Sequence, residues 1–151
     1  MIRKLKNNEV ETAHQIRSVF QRSYAVEAAL LKATEFPPLK RPLEAFLECS
    51  NPFFGYIEGD ELTGVVEVER NKDCTGIRSL VVCPKHFRRG IGSKLVQFVF
   101  DEFDAEIFVV ETGVDNGPAI ELYGKLGFRE VKQWETGIGI RKVKFERRVC
   151  D

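Results

Sequence analysis

The sequence lacks a net charge: 23 Lys and Arg stand against 23 Asp and Glu in 151 residues. That balance excludes a general electrostatic grip on nucleic acid, which needs a basic face. Histidine is scarce, with only His14 and His86, and the four cysteines (Cys49, Cys74, Cys83, Cys150) show no C-x-x-C spacing. No zinc signature can be built from that set, so no metal is expected. No apolar run approaches the roughly 20 residues that cross a bilayer, so no membrane partner is expected. No signal peptide precedes Arg3 and Lys4. The expectation is a cytoplasmic protein with reduced thiols. Repeats, low-complexity segments and linkers are missing too. One domain over residues 1–151 is the natural reading.

What is present suits a globular core. Hydrophobic residues make up 43% of the chain and twelve are phenylalanine. "MIRKLK" alternates apolar and basic residues, as a short edge strand does. "NNEVETAHQIRSVFQRSYAVEAALL" is helical, with Val10, Ala13, Ile16, Val19 and Phe20 at spacings of three and four and the asparagines placed to cap its start. Pro37, Pro38 and Pro42 then break the chain, and "PLEAFLECS" offers one or two helical turns. "FFGYIEGDELTGVVEVER" is a hairpin turning at Gly59-Asp60. "TGIRSLVVCP" is a third strand, apolar on both faces at Leu80-Val81-Val82 and ended by Pro84. "GIGS" opens a helix, "AEIFVVET" is a buried strand, and "DNGPAIELYGKLGF" is a helix started at Asp115 or Asn116 and stopped by Gly127. A closing hairpin turns near "TGIG"; its basic run "RKVKFERR" alternates with apolar residues, as a strand with one solvated face does.

The fold class is therefore α/β with a mixed sheet, in the order β-α-α-β-β-β-α-β-α-β-β. The helix after Pro84 makes its flanking strands a parallel crossover.

The stretch "FRRGIGSKL" carries the chemistry. A P-loop needs G-x-x-x-x-G-K-[ST], and a dinucleotide fingerprint needs a third glycine where Leu95 stands. Both patterns fail, which weakens an ATP or NAD module. Helix N-terminal N–H groups still bind anions. Gly90 and Gly92 remove Cβ atoms there, and Arg88 and Arg89 add charge beside them.

With "NGPAIELYGKLGF" downstream, the chain resembles the GNAT superfamily of acyl-CoA-dependent N-acyltransferases. The family motif is [Q/R]-x-x-G-x-[G/A], and Phe87 departs from its first position. The resemblance implies that the turn, Arg88, Arg89, Gly90, Ile91, Gly92 and Ser93, holds the coenzyme pyrophosphate, mostly through backbone N–H groups. It implies a sheet splayed beside the preceding strand, where Leu80, Val81 and Val82 offer backbone groups to the pantetheine. It implies an Asn116 contact with the coenzyme, although a helix cap would also explain that residue.

Acetyl-CoA is the cosubstrate the resemblance implies, and a primary amine is the acceptor, attacking directly within a ternary complex. Tyr123 is the expected acid for the departing thiolate, since a phenol with pKa of about 10 keeps its proton at neutral pH. Glu111 is the expected base, because its spacing from Tyr123 resembles the acid/base pair of the family's protein N-terminal acetyltransferases. Burial at the strand's mouth would raise its pKa. Glu67, Glu69 and water relays stay open as alternatives. Val82 N–H is the expected oxyanion donor. Cys83 reads as a small buried strand residue, with no recognisable His–Asp or His–Asn pair to activate it. The acceptor is a small molecule or a peptide N-terminus, with specificity in the first helices, the "EFPPLKRP" loop and "WETGIGI". A homodimer is left open. The alternative function is a non-catalytic acyl-CoA-binding or sensor domain on the same fold.

Overall fold

The computed structural model describes residues 1–149. Cys150 and Asp151 lie outside the described residues, and so does the thiol expectation for Cys150. Seven strands form one mixed sheet in the order β1-β2-β3-β4-β5-β7-β6. They are β1 (Ile2–Leu5), β2 (Phe53–Glu58), β3 (Glu61–Arg70), β4 (Thr75–Val82), β5 (Ile107–Gly113), β6 (Arg129–Glu135) and β7 (Arg141–Arg148). The helices are α1 (Val10–Leu30), α2 (Leu43–Leu47), α3 (Ile91–Glu102) and α4 (Gly117–Lys125). This is the element order read from the sequence. The closing hairpin adds one feature: its second strand, β7, lies inside the sheet against β5.

Each face of the sheet carries its own core. One gathers Phe54, Val66, Val68 and Ile77 under α3 and α4. The other gathers Phe53, Val65 and Val81 under α1 and α2. Gly64 lets α3 sit close: a Cβ there would lie 2.9 Å from Ile91 Cγ2. The first turn of α3 is thereby held against the sheet beside β4.

The α1 stripe needs two corrections. Val10 is exposed, whereas Ala13, Ile16, Val19 and Phe20 are buried. Glu9 stands at the N-cap with no side-chain cap. Asn7 instead donates to the Phe46 and Cys49 carbonyls at 2.7 and 3.0 Å. A long-range carbonyl pair outcompetes the local cap.

Local chemistry fixes α4 at both ends. Asn116 Oδ1 accepts from Ala119 N–H at 3.3 Å. At the other end Gly127 has φ of +90°. Phe128 N–H donates to Tyr123 C=O at 3.0 Å and Gly127 N–H to Gly124 C=O at 3.2 Å. That is the Schellman pattern, and its usual apolar contact is the Tyr123–Phe128 ring pair at 5.5 Å. The helix stop therefore also orients Tyr123. Gly127→Ala is expected to lower the urea midpoint by the equivalent of about 1–2 kcal/mol with an unchanged m-value, because alanine is strained at positive φ. An unchanged midpoint would remove this constraint.

Candidate functional site

The site begins where two parallel strands separate. β4 and β5 pair only at Thr75–Phe108, Gly76–Val109 and Ile77–Val110. Immediately after, Arg78 is an extra residue on β4: Val68 pairs with Ile77 and Glu67 with Ser79. A bulge bends its strand and increases local twist. Beyond it β4 follows β3 while β5 follows β7. A cleft of about 2160 Å³ occupies the divergence and extends to both faces of the sheet.

The β4 edge of this gap offers backbone. Val82 N–H points away from β3 and meets Ser23 Oγ at 3.3 Å, while Cys83 N–H donates to Thr63 C=O on β3 at 2.8 Å. Strand alternation then turns the N–H and C=O of Leu80 and Val82 to the gap, and those of Val81 to β3. Of the expected trio only Leu80 and Val82 present backbone there; Val81 is 1% exposed in the α1-side core.

The glycine turn lies at one end of the cleft. Arg88 and Gly90 have φ of +66° and +78°, so the backbone is left-handed on either side of Arg89. The α3 N-terminus has no side-chain cap. Gly92 has room: an added Cβ would touch only Leu122 at 3.4 Å and Leu80 at 3.9 Å. Ile91 anchors the helix in the core, while Arg88, Gly90, Gly92 and Ser93 border the cleft. Arg89 does not bring charge to this turn. Its guanidinium is bidentate on Glu58 at 2.9 and 2.6 Å and also meets His86 Nδ1 at 2.7 Å. A carboxylate on β2 has captured it. Phe87 is 40% exposed at the cleft margin.

Tyr123 closes the gap from the α4 side. It is buried against Phe128 and Phe145. Burial pushes its phenol well above the ordinary range, and the Tyr24 and Glu27 charges push the same way. Asn116 is a cap, and its amide donates to Thr112 Oγ1 at 3.3 Å. Cys83 is buried on the strand, and burial raises its thiol.

The carboxylates on the α1 side differ sharply. Glu111 is 46% exposed and accepts from Lys142 Nζ at 3.3 Å. The burial expected for it is absent, because side chains alternate on β5 and its neighbours Val110 and Thr112 face the buried side. Glu67 is buried but saturated. It accepts from Arg41 at 2.7 and 3.3 Å, Asn51 at 3.0 Å, Ser79 at 3.0 Å and Cys49 at 3.4 Å. Burial alone would raise its carboxyl, but the Arg41 guanidinium and the Asn51 amide outweigh it and hold the group below its ordinary range. A carboxylate held down in this way is a poor proton acceptor. Glu69, half-buried, also borders the cleft.

Two residues were not singled out by sequence reasoning. Tyr24 and Glu27 line the cleft from α1. Their signal was available: Ala13, Ile16, Phe20, Tyr24, Glu27 and Leu31 fall on one helical stripe at spacings of three and four. Burial pushes the Glu27 carboxyl up, partly offset by the Asn116 amide and the Lys142 charge.

With this geometry the comparisons are direct. The chain belongs to the acetyltransferase (GNAT) family, whose model matches residues 14–128. It is 33% identical over 141 residues to the UPF0157 protein YqkA of Bacillus subtilis (strain 168), covering 93% of this chain. The chain spans 41% of that relative's length. Among solved structures, the ribosomal-protein-S18-alanine N-acetyltransferase of Escherichia coli superposes with a TM-score of 0.77 at 19% identity, over 100% of this chain and 94% of the other. The PaiA N-acetyltransferase of Thermoplasma acidophilum, solved in complex with coenzyme A, gives 0.76 at 16% identity, over 99% and 98%. Both likenesses establish the fold.

The saturated Glu67 makes a stability prediction. Glu67→Ala leaves Arg41 unpaired at 21% exposure and is expected to cost about 3 kcal/mol in urea unfolding. The sign with pH follows from the lowered folded value. The stabilisation is present above the ordinary value of 4.5 and is lost as pH falls through the folded value. A Glu67→Ala protein that loses stability in acid as steeply as the parent would exclude Glu67 as the source.

Proposed function

We propose that this domain is an N-acetyltransferase that moves an acetyl group from acetyl-CoA to a primary amine, with both substrates bound together. The observation that carries this reading is the gap between β4 and β5. It joins an uncapped helix N-terminus, the outward-facing backbone of Leu80 and Val82 on β4 and one buried phenol. Family membership and the coenzyme A complex of the Thermoplasma neighbour support it.

The residues present fit the coenzyme. Backbone N–H groups at the start of α3 match a pyrophosphate in charge and direction. Arg88, which borders the cleft and has no ion-pair partner among the described residues, adds a side-chain charge that Arg89 does not. Leu80 and Val82 supply N–H and C=O groups to a pantetheine amide chain, as a sheet edge does for an added strand.

The bound thioester supplies an already activated acyl carbon and a sulfur leaving group. The amine nitrogen bonds to that carbon, the C–S bond breaks, and the thiolate takes a proton from Tyr123. A phenol keeps its proton at neutral pH; burial makes this one a weaker donor, and the phenolate left behind regains its proton from water in the open cleft. The acceptor is a small amine or a peptide N-terminus; the S18-alanine enzyme's name supports the second class.

The test combines binding and turnover. Coenzyme A should raise the thermal midpoint where ATP does not, since only a bound ligand shifts the folding equilibrium. Thiol release from acetyl-CoA should depend on an added amine. Tyr123→Phe should lower kcat by roughly 10²-fold with coenzyme affinity unchanged. Coenzyme binding without thiol release for any amine would favour a sensor domain.

A further inference from the structure

The amine proton has to leave on the side from which the amine arrives. Tyr123 stands with α4 on one face of the sheet. The opposite face of the gap is roofed by α1, and what holds α1 there is visible. A Cβ on Gly113 would lie 2.5 Å from Leu31 Cδ2, so Leu31 at the end of α1 packs directly on the last residue of β5. Phe20, two turns and more earlier, is buried in the α1-side core against Phe46 and Phe53. Tyr24 and Glu27 lie between these anchors on the same stripe and border the cleft.

Four carboxylates on this side border the cleft, and Glu69 lies level with Gly76, where β4 and β5 are still paired. Glu67 is saturated by five hydrogen bonds. Glu111 faces solvent with Lys142 upon it. Glu27 alone combines a place in the cleft with burial that disfavours its charge. The groups that face it come from several elements: Tyr24 on its own helix, Asn116 and Tyr123 from α4, and Lys142 from β7, itself tied to Glu111 on β5. Beyond Tyr24 lie the Arg41–Glu67 pair and Ser79.

We infer that Glu27 is the residue that receives the acceptor's proton, with Tyr24 beside it, so that acid and base stand on opposite faces of the split sheet. This rests on the acetyltransfer reading above. The carboxylate holds the acceptor nitrogen, takes one proton as the N–C bond forms, and returns it to solvent through the open cleft. Lys142 is paired with Glu111 at 3.3 Å, and its charge also acts on Glu27, which gives Glu111 a positioning role. The cleft lining also includes the apolar Leu30, Phe36, Pro37, Pro38 and Ile138, with the Glu35–Lys40 ion pair on the same arm. It suits an amine that carries an apolar substituent.

The test uses the whole chain with acetyl-CoA and four probes: phenethylamine, tyramine, and the dipeptides Ala-Phe and Met-Ala. Glu27→Gln should lower kcat/KM by roughly 10²-fold and abolish its acid limb, while coenzyme A affinity by calorimetry stays at the parent value. Glu27→Asp should restore the limb at reduced rate. Glu111→Gln should cost less than Glu27→Gln. In the free protein, carbon-detected NMR should show the Glu27 carboxyl titrating above the ordinary 4.5. A parent-like pH profile in Glu27→Gln, a Glu27 carboxyl titrating at or below 4.5, or the reverse ranking of the two glutamates overturns this assignment alone. No coenzyme binding, or no turnover with any of the four amines, overturns the acetyltransfer reading and this assignment with it.

Discussion

The hydrogen-bonded ion pair of Glu67 and Arg41 is the interaction on which the site depends. Glu67 sits in the middle strand region at 1% exposure, where an unpaired charge would be untenable. Its partners come from far apart: Arg41 before α2, Cys49 and Asn51 before β2, and Ser79 just past the β4 bulge. One carboxylate therefore ties the proline-rich arm, the α2–β2 connection and the bent part of β4 to β3. Arg41 is held from the other side by ring faces, 4.3 Å from the Phe46 centroid. The arm that walls the cleft is thus anchored through charge, while the sheet beneath it is anchored through packing.

The bulge and the ion pair act together. Arg78 offsets β4 by one residue, which carries Ser79 into reach of Glu67 and turns Leu80 and Val82 toward α3. Without the offset, β4 and β5 could continue their parallel ladder and the gap would close. The gap is what makes backbone available to a ligand and what lets groups on opposite faces meet. Tyr24 and Tyr123 both border it although they belong to separate cores. In the proposed acetyl transfer, a split sheet would give nucleophile and leaving group separate approaches to one carbon.

What could be read from the chain was local. The hairpin at Gly59-Asp60, the Asn116 cap and the Gly127 stop each follow from a few neighbouring residues, and each is present. The glycine turn was legible for the same reason. Failures share the opposite cause. Asn7 left the α1 cap for carbonyls near residue 46, and Arg89 left the anion site for Glu58, 31 residues away. Glu27 was hidden differently. In sequence it is one more charged residue in an amphipathic helix; only when α1 is laid across the gap does its place on the buried stripe acquire meaning. Glu111 shows the converse, a strand glutamate whose flanking apolar residues suggested burial that alternation denies it.

Glu67 and Glu27 face the same side of the same sheet, yet their environments drive them apart. Cations and amides reach Glu67 and stabilise its charge more than burial penalises it. At Glu27 burial prevails over one amide and one lysine. The difference lies in hydrogen-bond supply rather than depth. Five donor atoms converge on Glu67 because the connections on either side of α2 and the bulged part of β4 meet there. Glu27 projects from a helix into the cleft, where only the Asn116 amide and the Lys142 charge act to favour its ionised form. A carboxylate that is left unsatisfied in a cleft is the one available to bind and deprotonate something else, and pairs split in this way are how a fold separates structural from chemical duty. The same set of contacts that saturates Glu67 leaves Glu27 as the carboxylate whose charge burial disfavours, which is the ground for the role proposed for it.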